Sequence, residues 1–278
     1  YCTISGFGTT GPYSDRPGFD LVAQGMSGLM SITGHKDAAP VKVGVPIADL
    51  NTGMFAMQGI LSAYIHRLKS GKGQFLEVSL LESALAYTLY ESSIYFTTGS
   101  IPEPDGSAHR LTAPYQAFKT KDGFINLGAA NQSNWERFVD VIGMSKLKED
   151  KKFKTSDMRQ INRKDLEAIL EKVFSTKNSE EWISILLDNG IPAGPIYNMK
   201  EVWEDEQVKN RNMNVKIDHP NLKGSQNIGV IAKLQSTPGK IKKPAPLYGE
   251  HTEEILKELN YTESEISDLI KNKIAGMK

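Results

Sequence analysis

The chain has 278 residues, 39% hydrophobic and 24% charged, which suits one large or two moderate globular domains. Lysine plus arginine equals aspartate plus glutamate at 33 each, which argues against a nucleic-acid or anionic-membrane surface as its main business. Cys2 is the single cysteine, so there is neither a disulfide nor a cysteine metal cluster. That usage fits a reducing cytoplasm, and no apolar run approaches membrane-spanning length.

Tyr1 to Ile4 reads as the end of a strand with no sheet partner before it, as if this were the C-terminal part of a longer protein. Ser5-Gly6-Phe7-Gly8-Thr9-Thr10-Gly11-Pro12 contains a literal G-x-G-x-x-G, but Pro12 and the turn Asp15-Arg16-Pro17-Gly18 stop it from opening a helix, so dinucleotide binding is rejected. Its glycines suit a close backbone approach instead. Phe19 to Met30 is predicted as a helix burying Leu21, Val22, Met26 and Leu29, with Gly25 and Gly28 against another backbone.

Val43 to Gly53 is an apolar, proline-stiffened run holding one acidic residue, Asp49. A long helix is predicted over Gly53–Lys69, because Met54, Phe55, Met57, Ile60, Leu61, Tyr64, Ile65 and Leu68 share one apolar face. Asp49 then sits just before a helix N-terminus, where unpaired N–H groups and the macrodipole favour a carboxylate. Two readings stay open: Asp49, Asn51 or Thr52 caps the helix, or Asp49 is a nucleophile.

Gln74 to Ser79 is predicted as a strand and Leu81 to Thr97 as a helix, an α/β alternation. Gly99 to Thr112 reads as a linker or active-site loop. Tyr115–Lys121 and Phe124–Leu127 form a hairpin across Asp122-Gly123. Helices follow at Asn134–Ile142, Lys164–Phe174 and Ser179–Leu187, with Ser133, Asn162 and Asn178 as caps. Trp135, Trp182 and Trp203 are assigned to core or interface. Asn189 to Pro195 is a turn-rich connector, Val215–Ile217 and Gly229–Leu234 are short strands, and Lys240 to Lys243 is a small basic run. Thr252–Glu258 and Glu263–Lys271 close the chain as helices, the second opened by a Thr262/Glu265 capping box.

Much chemistry is absent. No two of the five histidines stand at metal-ligand spacing, and there is no H-E-x-x-H, nucleophile elbow or P-loop. Cys2 reads as a buried thiol. His109-Arg110 is the only His-Arg pair in a flexible stretch, which leaves a carboxylate nucleophile as the main covalent option.

At this point the motifs converge. Ser5-Gly6-Phe7-Gly8-x-x-Gly11-Pro12-Tyr13, Arg16-Pro17-Gly18-Phe19-Asp20, Gln24-x-x-Ser27-Gly28-Leu29-Met30, Asp49-x-x-x-Gly53, Gly71-x-Gly73-Gln74, Pro114-Tyr115-Gln116-Ala117-Phe118, Gly190-Ile191-Pro192-x-Gly194-Pro195 and Pro244-Ala245-Pro246-x-x-Gly249-Glu250-His251-Thr252 stand in order along the chain. Together they resemble the class III CoA-transferases, the CaiB/BaiF family.

The resemblance implies an α/β fold. Residues 1–98 would be the remainder of a Rossmann-like large domain whose N-terminal half is missing. Residues 99–112 would be a linker or active-site loop, 113–205 a smaller α+β domain, and 206–278 a return segment with the C-terminal helices. It implies an interlocked homodimer, acyl-CoA and a small carboxylic acid as partners, no tightly bound cofactor and no metal. Asp49 falls on the family's catalytic aspartate, which forms an aspartyl-CoA thioester. Arg16, Pro17, Phe19, Asp20 and Leu80 fall on positions that contact CoA, and Gly106, Ser107, His109 and Arg110 on the substrate loop. The C-terminal half leans toward the dicarboxylate-handling branch. Racemases of the family use a histidine where this chain has Phe19, which carries no proton, so the racemase is the runner-up. A non-catalytic dimerising fragment is the third reading.

Overall fold

In the computed structural model, which describes residues 1–276, Cys2–Ser5 forms strand β1, and its partner lies downstream. It pairs in parallel with β2 (Leu76–Ser79), from Cys2 opposite Leu76 to Ser5 opposite Ser79. The crossover between them holds α1 (Asp20–Met26), α2 (Leu29–Ile32) and α3 (Ile47–Ser70). β2 passes directly into α4 (Leu80–Leu85), a 3-10 turn at Ala86–Thr88, and α5 (Leu89–Thr98). Two predicted helices are therefore broken. Phe19–Met30 divides at Ser27–Gly28, where Gly28 takes a φ of +86° that glycine adopts without steric penalty. Leu81–Thr97 is interrupted by the 3-10 turn. Cys2, expected to be buried, is only half-buried.

Small residues bring these helices together. Ala23, Leu29, Ala48 and Ala84 are buried, with Ile32, Ile47 and Leu80 packed around them. The predicted burial face of α1 is corrected accordingly: Leu21, Val22 and Met26 are exposed, and the apolar row from Met54 to Leu68 on α3 is exposed too, with Met54 at 60%. α3 instead buries Ala48, Asn51, Thr52 and Ala56. Hydropathy marked what is apolar, whereas contact within the chain runs along the side with the smallest side chains.

Gly25 and Gly28 meet only the Met30 and Ser31 side chains, so the predicted backbone contact is absent there. It occurs at Gly6 and Gly18. A Cβ on Gly18 would lie 2.6 Å from the Gly6 Cα, so the glycine loop and the Arg16–Gly18 turn touch backbone to backbone.

The next part has its own core. β3 (Tyr115–Lys119) and β4 (Phe124–Gly128) form the predicted hairpin, and β5 (Ala193–Pro195) joins β4 antiparallel in the order β3-β4-β5. The stretch read as a connector thus supplies a strand, with Pro195 ending an edge where its missing N–H does no harm. Packed against this sheet are α6 (Gln132–Val141), a 3-10 turn at Ser145–Lys148, α7 (Ser156–Ile161), α8 (Arg163–Phe174) and α9 (Ser179–Asp188). Phe118, Phe138, Phe174 and Trp182 stack at centroid distances of 5.1–6.1 Å. Each such pair adds about 0.5–1.5 kcal/mol beyond area burial. Asn178 caps α9 as predicted, in a capping box with Glu181. The α6 cap is Asn131 rather than Ser133, accepting the Asn134 N–H at 2.8 Å. Asn162 turns its amide to carbonyls of Met158 and Lys152 and caps nothing with its side chain.

Tyr1–Ile196 is one compact unit, and the chain from Tyr197 on is a second. The second unit contains α10 (Met199–Glu204), α11 (Glu206–Asn210), the antiparallel pair β6 (Asn214–Lys216) and β7 (Gln226–Ile228), α12 (Thr252–Glu258) and α13 (Glu263–Lys271). The predicted strand Gly229–Leu234 is not formed. The ladder ends at Ile228, and Gly229 passes so near Asn212 that a Cβ would lie 2.2 Å from its carbonyl oxygen. Thr262 and Glu265 make the predicted capping box.

Candidate active site

α3 starts at Ile47, earlier than the predicted Gly53, so Asp49 lies inside the first turn rather than before it. Pro46 occupies the cap position and offers no side-chain acceptor. The acceptor comes from α1: Asp20 Oδ1 takes the Ala48 N–H at 2.9 Å. Asp20 Oδ2 takes a hydrogen bond from Gln24 Nε2 at 2.8 Å, and Gln24 Oε1 takes the Val43 N–H at 2.9 Å. Asn51 and Thr52, the other sequence candidates for the cap, turn elsewhere. Asn51 Nδ2 donates to the Ser83 carbonyl at 2.6 Å, and the Thr52 hydroxyl donates to the Ala48 carbonyl at 2.7 Å. Asp49 itself is exposed, and its carboxylate has no hydrogen bond or ion pair among the described residues. Its N–H is likewise without a partner, whereas those of Ile47, Ala48 and Leu50 are taken by Val45 O, Asp20 and Pro46 O.

The structure gathers part of the predicted CoA-contact set into the turn before α1. The Arg16 guanidinium lies 3.7 Å from the Tyr13 ring centroid, and Pro17 is exposed. Phe19 is 76% exposed at the cap position of α1. Leu80 opens α4, where the next residue, Leu81, donates its N–H to Gly6 O at 3.1 Å. Across the glycine loop, Glu77 accepts the Thr9 N–H at 3.0 Å as well as its hydroxyl, and these bonds hold its carboxyl below the usual range. Asp20, assigned by resemblance to CoA contact, spends both oxygens inside the protein.

The predicted substrate loop is tied down at every named residue. Gly106 takes a φ of +61° and donates its N–H to Gly34 O at 2.7 Å. Ser107 Oγ accepts the Ala117 N–H at 3.0 Å, and the His109 N–H bonds Tyr115 O at 2.9 Å, so the loop covers the free edge of β3. The His109 ring sits edge-on to Tyr90 and Tyr115, and its Nδ1 accepts the Leu111 N–H. Arg110 reaches Glu103 O at 2.5 Å and Glu91 at 3.6 Å. Asp105 forms a bidentate pair with Arg163, both bonds 2.5 Å. A cavity of about 460 Å³ opens between this loop and the sheet, lined by Ser107, Gln116, Asn126 and Gly194 among others. None of these loop contacts runs to Asp49 or Asp20 among the described residues.

Comparison with known proteins decides the family. The model of "CoA-transferase family III" matches residues 1–252. The chain belongs to CoA-transferase family III. It is similar to the succinyl-CoA:glutarate CoA-transferases of Mus musculus and Homo sapiens, each 37% identical over 271 residues, covering 97% of this chain and 62% of theirs. A succinate–glutarate CoA-transferase of Agrobacterium fabrum is 33% identical over 263 residues, covering 95% of this chain and 66% of its own. Among solved structures, a CaiB/BaiF family protein from Brucella suis superposes with a TM-score of 0.79 at 33% identity, covering 93% of this chain and 67% of that one. This family III chain thus spans about six-tenths of the length of the mouse and human relatives. The mixed α/β architecture agrees with the Brucella superposition. Among the described residues no group of three or more His, Cys, Asp or Glu could hold a metal ion, and no helix is long and apolar enough to cross a membrane.

Sequence reasoning passed over Gln24 as a site residue. It was visible only as a polar residue in a quoted motif, four places after Asp20, a spacing that puts both on one helix face. Arg159, a fully buried arginine, carried no local signal at all.

Proposed function

We propose that the chain is the part of a family III CoA-transferase that carries the nucleophile, and that Asp49 is that nucleophile. The observation that carries the reading is a carboxylate free of internal partners on the first turn of a helix that another residue caps. The Asp49 carboxylate attacks the acyl carbon of the donor thioester. A C–O bond forms, the C–S bond breaks, and CoA leaves as thiolate from a mixed anhydride. The thiolate attacks the aspartyl carbonyl carbon, giving an aspartyl-CoA thioester and releasing the donor acid. The acceptor carboxylate displaces CoA thiolate from that thioester. The thiolate then takes the new acyl group from the second anhydride and restores Asp49. One thioester replaces another, so no net energy input is required. The unpaired Asp49 N–H and the helix N-terminus favour negative charge on the oxygens that develop beside them.

The acceptor we assign is a small dicarboxylate. The support is the activity for which the mouse, human and Agrobacterium relatives are named, succinyl-CoA with glutarate or the same pair of acids. We also assign self-association through the exposed apolar residues of α1, α3 and α5, since clustered exposed apolar side chains mark protein contacts.

Hydroxylamine trapping in the presence of succinyl-CoA, followed by peptide mass spectrometry, tests the mechanism. A hydroxamate on Asp49 is the expected result. Asp49→Asn lowers transfer by on the order of 10³-fold or more, since the residual rate rests on binding alone. Full transferase activity in that variant overturns the covalent route.

A further inference from the structure

The run Val43–Pro46 lies outside any helix or strand, yet it delivers the chain into the turn that carries Asp49. Two side chains of α1 fix it. Gln24 is fully buried and accepts the Val43 N–H, its Nε2 donates to Asp20 Oδ2, and the same nitrogen lies 3.5 Å from Val45 O. Asp20 in turn holds the Ala48 N–H. The Gln24 amide is therefore spent on three neighbours, all belonging to the approach to Asp49 or to its cap.

We propose that Gln24 is the positioning residue for Asp49, fixing the helix start that aims the carboxylate. The inference rests on the reading of Asp49 as nucleophile. A carboxamide is the group that fits, because the position needs an acceptor toward Val43 and a donor toward Asp20 at once. Leucine supplies neither. Glutamate keeps an acceptor but sets a second carboxylate against Asp20, and two such groups at hydrogen-bond distance do not both stay ionised. With the Val43 amide released and Asp20 unanchored, the first turn of α3 loses its fixed origin. A displacement on the order of 1 Å at a reacting group lowers turnover by about 10²-fold.

The test uses the full chain with Gln24→Leu and Gln24→Glu, succinyl-CoA and glutarate as probes, and three readouts. In Gln24→Leu the Val43 and Ala48 amides exchange with solvent hydrogen at least about tenfold faster, as expected of locally opened amides. In the same variant kcat and the hydroxamate yield on Asp49 fall together by about 10²-fold, while KM for succinyl-CoA moves by less than about threefold. Gln24→Glu matches that loss near pH 8 and recovers part of it toward about pH 5.5, where one shared proton restores the bond to Asp20. The unsubstituted chain shows no such recovery. Unchanged exchange at Val43 and Ala48, or a raised KM with kcat intact, overturns the proposal. If Gln24→Leu does not fold, the acid recovery of Gln24→Glu decides. If the unsubstituted chain gives no hydroxamate, the nucleophile reading fails, and the exchange data alone then say whether Gln24 anchors the segment.

Discussion

Replacing Arg159 by methionine removes a buried cation that ties four segments together. Arg159 is fully buried, and its guanidinium donates to Ala113 O at 2.9 Å, Gln132 Oε1 at 3.0 Å, Phe153 O at 3.1 Å and Ala130 O at 2.9 Å, under the Trp135 ring at 4.8 Å. Methionine fills similar volume with no donor. Each orphaned acceptor costs about 1–3 kcal/mol if unrelieved. Relief of the guanidinium's desolvation offsets part of that, and since only neutral acceptors are orphaned, the four together leave a net loss of about 3–5 kcal/mol. For a folding unit of this size that is a fall in Tm of about 6–20 °C. Thermal unfolding followed by near-UV circular dichroism and tryptophan emission reads it directly. A loss below about 1 kcal/mol would refute the reasoning, because it would mean the four acceptors find water or other donors. The pH dependence is a second check. Burial pulls the Arg159 guanidinium down from its ordinary range to about 10, against the pull of Glu136. The folded state thus binds fewer protons than the unfolded only from about pH 10 up to the ordinary guanidinium range, where stability rises with pH. Between about pH 6 and pH 9 both states are charged, and Arg159 adds no slope.

Gly18→Ala places a Cβ 2.6 Å from the Gly6 Cα, backbone against backbone, and destabilises by about 1–3 kcal/mol or more through overpacking, read as a shift in denaturant midpoint. Gly25→Ala in the last turn of α1 is the control: its nearest new neighbour is Met30 Sδ at 3.7 Å, so it is neutral or stabilises by up to about 1 kcal/mol. Asp122 accepts the Ser179 N–H at 2.8 Å and the Ser179 hydroxyl at 2.9 Å, bonds that hold its carboxyl below the usual 3.8. Its stabilising effect is therefore complete above that value and is lost as pH falls through the lower folded one. Asp122→Asn is expected to flatten the acid side of the stability profile, measured by urea midpoints across that range.

The elements most legible in the sequence were those whose determinants are local. The hairpin at Asp122-Gly123, the Asn178/Glu181 box and the Thr262/Glu265 box lie within a few residues of the features that define them. The start of α3 was not legible because its cap is Asp20, far upstream, where a search for a nearby Ser, Thr, Asp or Asn does not look. β5 was missed for the same reason: Ala193-Gly194-Pro195 has no strand propensity and is held by β4. The apolar faces of α1 and α3 were found correctly as apolar, and Leu21, Val22 and Met26 of α1 were assigned wrongly as buried, since periodicity reports which side is greasy and not what covers it. Asp49 stood out in the sequence, but the residues that fix its helix start did not, because hydrogen bonds from side chains of α1 to the backbone around the start of α3 leave no periodic trace.

Those residues bear on the two readings of Asp49 that the sequence left open. Capping and nucleophilicity compete for the same lone pairs: a carboxylate that accepts the N–H groups of its own helix is held in place and stabilised, and to that extent is a weaker attacking group. In this fold the Ala48 N–H is satisfied by Asp20, and the Val43 N–H by Gln24. The helix start is thereby stabilised without drawing on Asp49, which stays within reach of the dipole yet keeps both oxygens unengaged. An acidic residue in a first turn ordinarily relieves the helix end. Here the end is relieved from α1, so the fold leaves the Asp49 carboxylate unengaged, as the proposed reaction requires.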